Sequence, residues 1–271
     1  MRYAILLIGL MLAQAPRPIY AQEVSAVVTT SAASDEDAVD QVVQKPAGPP
    51  PTPAHTGVKA MLKGLIGDFA ALPSKENLFI AGVGGAAALA VHPLDDDVNA
   101  HLVGKGWAKN VFKPGATLGA LPTVLGASAT VYIVGRVKDE PKVSHLGMDL
   151  LRSLAVAEGV TQTLKFATRR ERPDGSGRNS FPSGHSADTF ALATAIERHL
   201  GWRGAVPAYL FASYVAASRL RENRHFLSDV VFGAAVGTIA GRTVTRHGRQ
   251  YYADIQLVPG GAAVMIVRRA N

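Results

Sequence analysis

The chain has 271 residues, with 28 Lys and Arg against 21 Asp and Glu and a formal net charge of +7. That is enough for one large domain or two small ones around a sizeable core. Hydrophobic residues at 48% and charged residues at 18% exclude global disorder and leave a globular or partly membrane-embedded protein, and the lack of Cys excludes disulfides, thiolate metal sites and Cys nucleophiles.

Residues 1–21 read as a processing segment. Arg2 precedes a ten-residue apolar run from Ala4 to Ala13, and PIYA offers a cleavage point after Ala21. A run this short reads as a secretory signal, the rival being a retained anchor. Export is therefore expected, to the periplasm or the periplasmic face of a bacterial membrane. Residues 22–56 follow as a Pro-rich disordered linker, with five Pro among the eight residues from Pro46 to Pro53.

From residue 57 the patterning is helical, and 57–271 is treated as one domain. Val58 to Phe69 is a short amphipathic candidate, and Leu78 to Val91 is apolar and rich in small residues. HPLDDDVNAH reads as a charged turn. The uncharged stretch between Lys113 and Arg136 is long enough to cross a bilayer, yet Pro122 and its glycines also fit a kinked core helix. Further helices are expected over Met148–Lys165, Ser183–Leu200, Ala205–Ser218 and Asp229–Gly241. Most of these runs are short for membrane spans, which favours a soluble protein or peripheral membrane association. The β-branched tail around Pro259-Gly260-Gly261 suggests a short hairpin. The expected fold is all-α: a helical bundle with that hairpin appended.

Three segments carry chemistry: KFATRRERP from Lys165, FPSGHS from Phe181 and SRLRENRHFLSD from Ser218. Lys165, Arg169, Arg170 and Arg172 crowd the first, with Arg178 shortly after it, and Arg219, Arg221 and Arg224 crowd the third. Guanidinium forks match phosphate oxygens, so both loops suit one polyanion, although two solvated cationic loops would look the same. Nucleic acid is disfavoured, because no aromatics alternate with these cations as a stacking platform requires.

In the second segment, Ser183 suits a helix N-cap and Gly184 a close backbone approach, so the N–H groups there can hold an anion. In the third, His225 and Asp229 are four apart, a spacing that on a helix lets the carboxylate orient the imidazole. An ordinary His–Asp pair fits that spacing too. His225 then reads as a nucleophile and His185, among cations and without a carboxylate, as the acid for a leaving oxygen. Lys165, Arg172 and Arg219 would clamp the phosphoryl oxygens.

These segments together resemble the type 2 phosphatidic acid phosphatase superfamily, which also contains bacterial acid phosphatases, undecaprenyl-diphosphate phosphatases and vanadium-dependent haloperoxidases. The resemblance rests on Lys165 with Arg172-Pro173, on Pro182-Ser183-Gly184-His185, and on Ser218-Arg219 with His225 and Asp229. It spans about residues 78–245 and implies a helical bundle with the phosphate site at one end. It also implies a phosphohistidine at His225, Asp229 as its orienting partner, His185 as general acid, and phosphate binding by Lys165, Arg172, Arg219, Ser183 and the Gly184 backbone. No metal or cofactor is implied for the phosphatases. The expected activity is hydrolysis of a phosphate monoester or diphosphate, with a lipid-linked substrate ahead of a soluble one. A haloperoxidase, a phosphotransferase and a non-catalytic anion- or lipid-binding module are the alternatives.

Overall fold

A computed structural model describes residues 57–103, 106, 108–248, 251–258 and 261–268. The signal segment at 1–21 and the linker at 22–56 lie outside the described residues. Nine helices make up the described bundle: α1 (Val58–Ala70), α2 (Lys75–Val91), α3 (Asp95–Leu102), α4 (Ala108–Leu118), α5 (Leu121–Val137), α6 (Pro141–Thr168), α7 (Gly184–Leu200), α8 (Trp202–Arg221) and α9 (Leu227–Val244). The tail pairs β1 (Tyr251–Val258) antiparallel with β2 (Gly261–Arg268), Tyr251 opposite Arg268 and Val258 opposite Gly261. Every element that positions the candidate site is a helix or a helix-ending loop.

The centre of the bundle is α6, α7 and α9, joined by Val156, Ala157, Ala187, Ala191, Val236, Ala240 and Val244. Small side chains let these helices approach closely. A Cβ at Gly237 would collide with the Ala187 carbonyl, and one at Gly233 would stand 2.6 Å from the Ser183 carbonyl oxygen. The α9 glycines therefore bring its first turn beside the start of α7. On the flanks, Ala193, Ala208 and Ala212 pack α8 on α7, and Val98 and Leu102 of α3 pack against Leu220 and Val230.

The chain direction places four helix ends together. Helices α6 and α8 finish where α7 and α9 begin, so their loops share one end of the bundle. The other end is held by charge: buried Asp68 takes Arg152 at 2.6 Å and Arg246 at 2.5 Å, and Asp149 takes Arg152 at 3.2 Å and His199 at 2.9 Å. A buried carboxylate is tolerable there because each is met by two cationic partners or a cation and an imidazole.

Two sequence expectations change. HPLDDDVNAH is a single 3₁₀ turn, His92–Leu94, followed by α3, whose first turn holds Asp95, Asp96 and Asp97. Acidic side chains stabilise a helix start, so the same charges that suggested a turn support a helix. The uncharged stretch before Arg136 is two helices, and residues 110–118 and 121–137 meet at 62°. Pro122 accounts for the break: it lacks the N–H that a continuous helix would give to residue 118, and in the first turn of α5 that N–H is not needed. Taken together the bent pair is still long and apolar enough to cross a membrane, and among the described residues so are Lys75–Leu102, a 28-residue unit that is mostly exposed, and Leu227–Val244.

The seam between α7 and α9 is tight enough to test. Gly237→Ala is expected to cost about 1–3 kcal/mol by overpacking. Gly126→Ala, with nothing within 4 Å of the added carbon, should leave stability unchanged or slightly raised. Thermal unfolding of both variants checks the pair.

Candidate active site

Lys165 stands in the last turn of α6 and gives its Nζ to the Asn179 carbonyl at 2.5 Å. Helix α6 then ends at Arg169 in a left-handed conformation, φ 46°, and turns the chain into the loop of Arg170 and Arg172. That loop is pinned by backbone bonds from Arg172 N–H to Gly177 and from Ser180 N–H to Arg170. Arg219 occupies the last turn of α8 and donates to Glu222 at 2.7 Å. The Nε atoms of Arg172 and Arg219 are buried without a hydrogen-bond partner. Donors in that state are what an arriving oxyanion would satisfy.

Ser183 is the N-cap of α7 and is fully buried; its N–H donates to the Asp229 carbonyl at 3.0 Å. Gly184 opens the helix. A Cβ there would find only ordinary contacts at 3.8 Å, from Glu158 and Thr161, so packing within the chain does not account for the glycine. His185 follows, with Nε2 at 3.0 Å from the Ala116 carbonyl, one of the carbonyls near the C-terminus of α4.

His225 and Asp229 do not share a helix, contrary to the sequence reading. His225 precedes Phe226, the N-cap of α9, whereas Asp229 lies in its first turn. The Asp229 carboxylate instead folds back on its own helix start and accepts the Phe226 N–H at 2.9 Å. Its Oδ2 also takes Ser180 Oγ–H at 2.5 Å, and Oδ1 takes Arg170 at 2.8 Å. His225 Nδ1 lies 3.7 Å from Oδ2, an ion-pair separation too long for a hydrogen bond. Both side chains are buried, His225 at 3% exposure and Asp229 at 0%.

Electrostatics unite these segments. Burial, then the neighbouring Arg172 charge, push Lys165 down to about 8, while Asp229, Glu158 and Asp188 pull the other way. Burial is also the main cause that pushes His185 down to about 4, with Arg219, His225 and Lys165 adding to it. His225 is lowered as well, chiefly by burial, with Asp229 opposing and Lys165 and Arg219 assisting. The structure thus brings together the site residues expected from sequence: Lys165, Arg172, Ser183, Gly184, His185, Arg219, His225 and Asp229. What they form is a partly dry, cationic end of a helix bundle.

Residues 146–251 match the PAP2 superfamily. Over 91 residues the chain is 43% identical to the lipid A 1-phosphatase of Porphyromonas gingivalis, a stretch that is 32% of this chain and 20% of that protein. The chain therefore spans about a fifth of the length of that relative. The crystal structure of Aquifex aeolicus LpxE is similar at a TM-score of 0.48 and 21% identity, over 56% of this chain and 95% of that one. So is the first transmembrane PAP2 type phosphatidylglycerolphosphate phosphatase from Bacillus subtilis, at a TM-score of 0.48 and 20% identity, over 70% of this chain and 94% of that one.

Several groups around these residues were not singled out from sequence. Ser180 precedes Phe181-Pro182 and reads as loop, yet it holds Asp229. Asp95, 133 residues before Ser228, reaches that serine's N–H at 2.9 Å and its hydroxyl at 2.6 Å. No local spacing signals such a contact. Asp188, one turn beyond Gly184, is pushed up to about 9 by burial and by Glu158, and its Oδ1 has no hydrogen-bond partner.

The lowered His185 gives a pH test with a definite sign. Its folded-state value lies below its ordinary 6.5, so the unfolded chain binds the proton first. The contribution of His185 to stability is present above 6.5 and declines as pH falls toward about 4. NMR titration of the ligand-free protein should show a His185 ring neutral from pH 8 to 5, and inorganic phosphate should raise its titration point. A ring titrating at its ordinary value without ligand would contradict this burial.

Proposed function

We propose that this chain is a lipid phosphatase that works through a phosphohistidine on His225 and needs no metal or cofactor. The observation that carries the reading is the buried His225 imidazole, set beside Asp229 and within electrostatic reach of Lys165, Arg219 and His185. Lys165, Arg172 and Arg219 would hold the three peripheral oxygens of the phosphoryl group. Fixed donors of this kind stabilise the charge spread over those oxygens in the transition state. The N–H groups at the start of α7, behind Ser183 and Gly184, would add to the same cradle.

In the first step, His225 Nε2 attacks phosphorus and the bond to the leaving oxygen breaks. His185 gives that oxygen a proton. Asp229 stabilises the charge that develops on the His225 ring through its Nδ1 side. In the second step, a water gives its proton to His185 and attacks the same phosphorus. The N–P bond breaks, inorganic phosphate leaves and both imidazoles return to their starting states. Burial, together with the Arg219 and Lys165 charges, keeps His185 neutral. A phosphate dianion in the cradle offsets those charges and lets His185 carry the proton it must donate.

The lipid class is supported by the likeness to a protein named lipid A 1-phosphatase and by the apolar surface of the helices. Leu78, Phe79, Val83 and Leu89 are all exposed on α2. Apolar side chains at that density suit a membrane better than water. We further propose that the protein acts on a phosphate monoester or diphosphate at the outer, periplasmic face of a bacterial membrane.

His225→Ala should lower turnover by at least about a thousandfold while the protein still folds and binds phosphate. Unchanged turnover would reject the nucleophile. His185→Ala should slow substrates with poor leaving groups more than those with good ones; an equal loss across the series would remove its acid role. A panel of phosphatidate, undecaprenyl diphosphate, lipid A and p-nitrophenyl phosphate, with and without detergent and chelator, tests the substrate class. Preference for p-nitrophenyl phosphate over every lipid, or loss of activity on chelation, would count against the proposal.

A further inference from the structure

Helix α3 lies outside the segment that matches the PAP2 superfamily, yet it reaches the candidate active site through Asp95. Asp95 is buried at 3% exposure and accepts four hydrogen bonds. They come from the Ser228 N–H at 2.9 Å, the Ser228 hydroxyl at 2.6 Å, Arg170 Nη2 at 2.8 Å and His92 Nδ1 at 2.8 Å. Arg170 continues the line. Its Nη1 donates to Asp229 Oδ1 at 2.8 Å and to Ser228 Oγ at 2.7 Å, and its guanidinium carbon stacks 4.2 Å over the Phe226 ring. The result is a row of alternating charge, Asp95, Arg170, Asp229, ending at His225.

We propose that Asp95 and Arg170 are positioning residues for Asp229, so that the α2–α3 arm takes part in setting the reactive imidazole. The inference rests on the reading of His225 as the nucleophile. Arg170 is one of five cations crowded between Lys165 and Arg178, and its contacts separate it from the others. Both of its terminal nitrogens are committed to Asp95, Ser228 and Asp229, while the phosphate-facing role falls to Arg172 and Arg219 with their unpartnered Nε atoms. A guanidinium fork held on two carboxylates fixes the rotation of each, which a point charge would not do. Asp95 in turn keeps Arg170 from swinging toward the anion, and its hold on Ser228 fixes the first turn of α9 from which Asp229 projects.

The test uses the full chain with p-nitrophenyl phosphate as substrate and inorganic phosphate as competitive inhibitor. Asp95→Asn, Arg170→Lys and Arg170→Met are expected to lower kcat about 10- to 100-fold, with the inhibition constant for phosphate within about threefold of the parent. Because the residues act through Asp229, adding Arg170→Met to Asp229→Asn should cost no more than about a further threefold. Losses that multiply in the double variant, a roughly tenfold weaker hold on phosphate, or an unchanged kcat would each overturn the proposal. Where Arg170→Met does not fold, Asp95→Asn and Arg170→Lys decide by the same ratio of kcat to phosphate affinity. Turnover surviving in His225→Ala would overturn the reading of the site itself. Multiplying losses with His225→Ala inactive would overturn only the role of Asp95 and Arg170.

Discussion

The candidate site is organised around one buried carboxylate. Asp229 has no solvent exposure, so its charge is sustained by Arg170, Ser180 Oγ–H and the Phe226 N–H, with His225 close by. Its backbone carbonyl takes the Ser183 N–H as well. These bonds join the loop after α6, the start of α7 and the start of α9 at a single residue. Removing any one donor would leave part of a buried charge uncompensated, which costs more than the bond itself contributes. The demand of that carboxylate for partners is therefore what makes three separate segments of chain adopt one arrangement.

Packing supplies the setting for this hub. Alanine and glycine dominate where α7, α9 and α6 touch, so the helix backbones lie close and their ends stay in register. The same economy of side chains leaves many larger apolar residues facing outward, including Phe79, Leu89, Trp202 and Leu210. A bundle of this kind is held by close backbone approach and by polar contacts at its two ends, the Asp68–Arg152–Arg246 cluster at one and the Asp229 cluster at the other. That distribution suits a membrane environment, where apolar contacts between helices gain little over contacts with lipid.

Electrostatically the site is shaped by burial and by like charge. Lys165, Arg172 and Arg219 are all pushed below their ordinary values, chiefly by burial, and both histidines are pushed down in the same way. Charges of one sign gathered at a partly buried end of the bundle repel each other, and an anion would relieve that repulsion. On the proposed reading, an anion that relieves the repulsion among the cations would also raise the proton affinity of His185.

The amino-acid sequence by itself determined which residues are candidates for holding a phosphoryl group. The spacings from Lys165 to Arg172, through Ser183-Gly184-His185, and from Arg219 to His225 and Asp229 marked eight residues that the fold gathers at one end of the bundle, while Ser180, Asp95 and Asp188 beside them carried no local signal. Helices over most of the domain were also legible from apolar runs and the Ser183 N-cap. Tertiary structure alone decided who holds whom. Hydrophobic periodicity and motif spacing are local quantities, whereas Asp95 meets Ser228 and Arg170 across most of the domain, and Ser180 reaches Asp229 from a separate loop. It also decided that His225 and Asp229 meet across a helix N-terminus, since a buried carboxylate in a first turn finds its own backbone N–H before it finds a side chain.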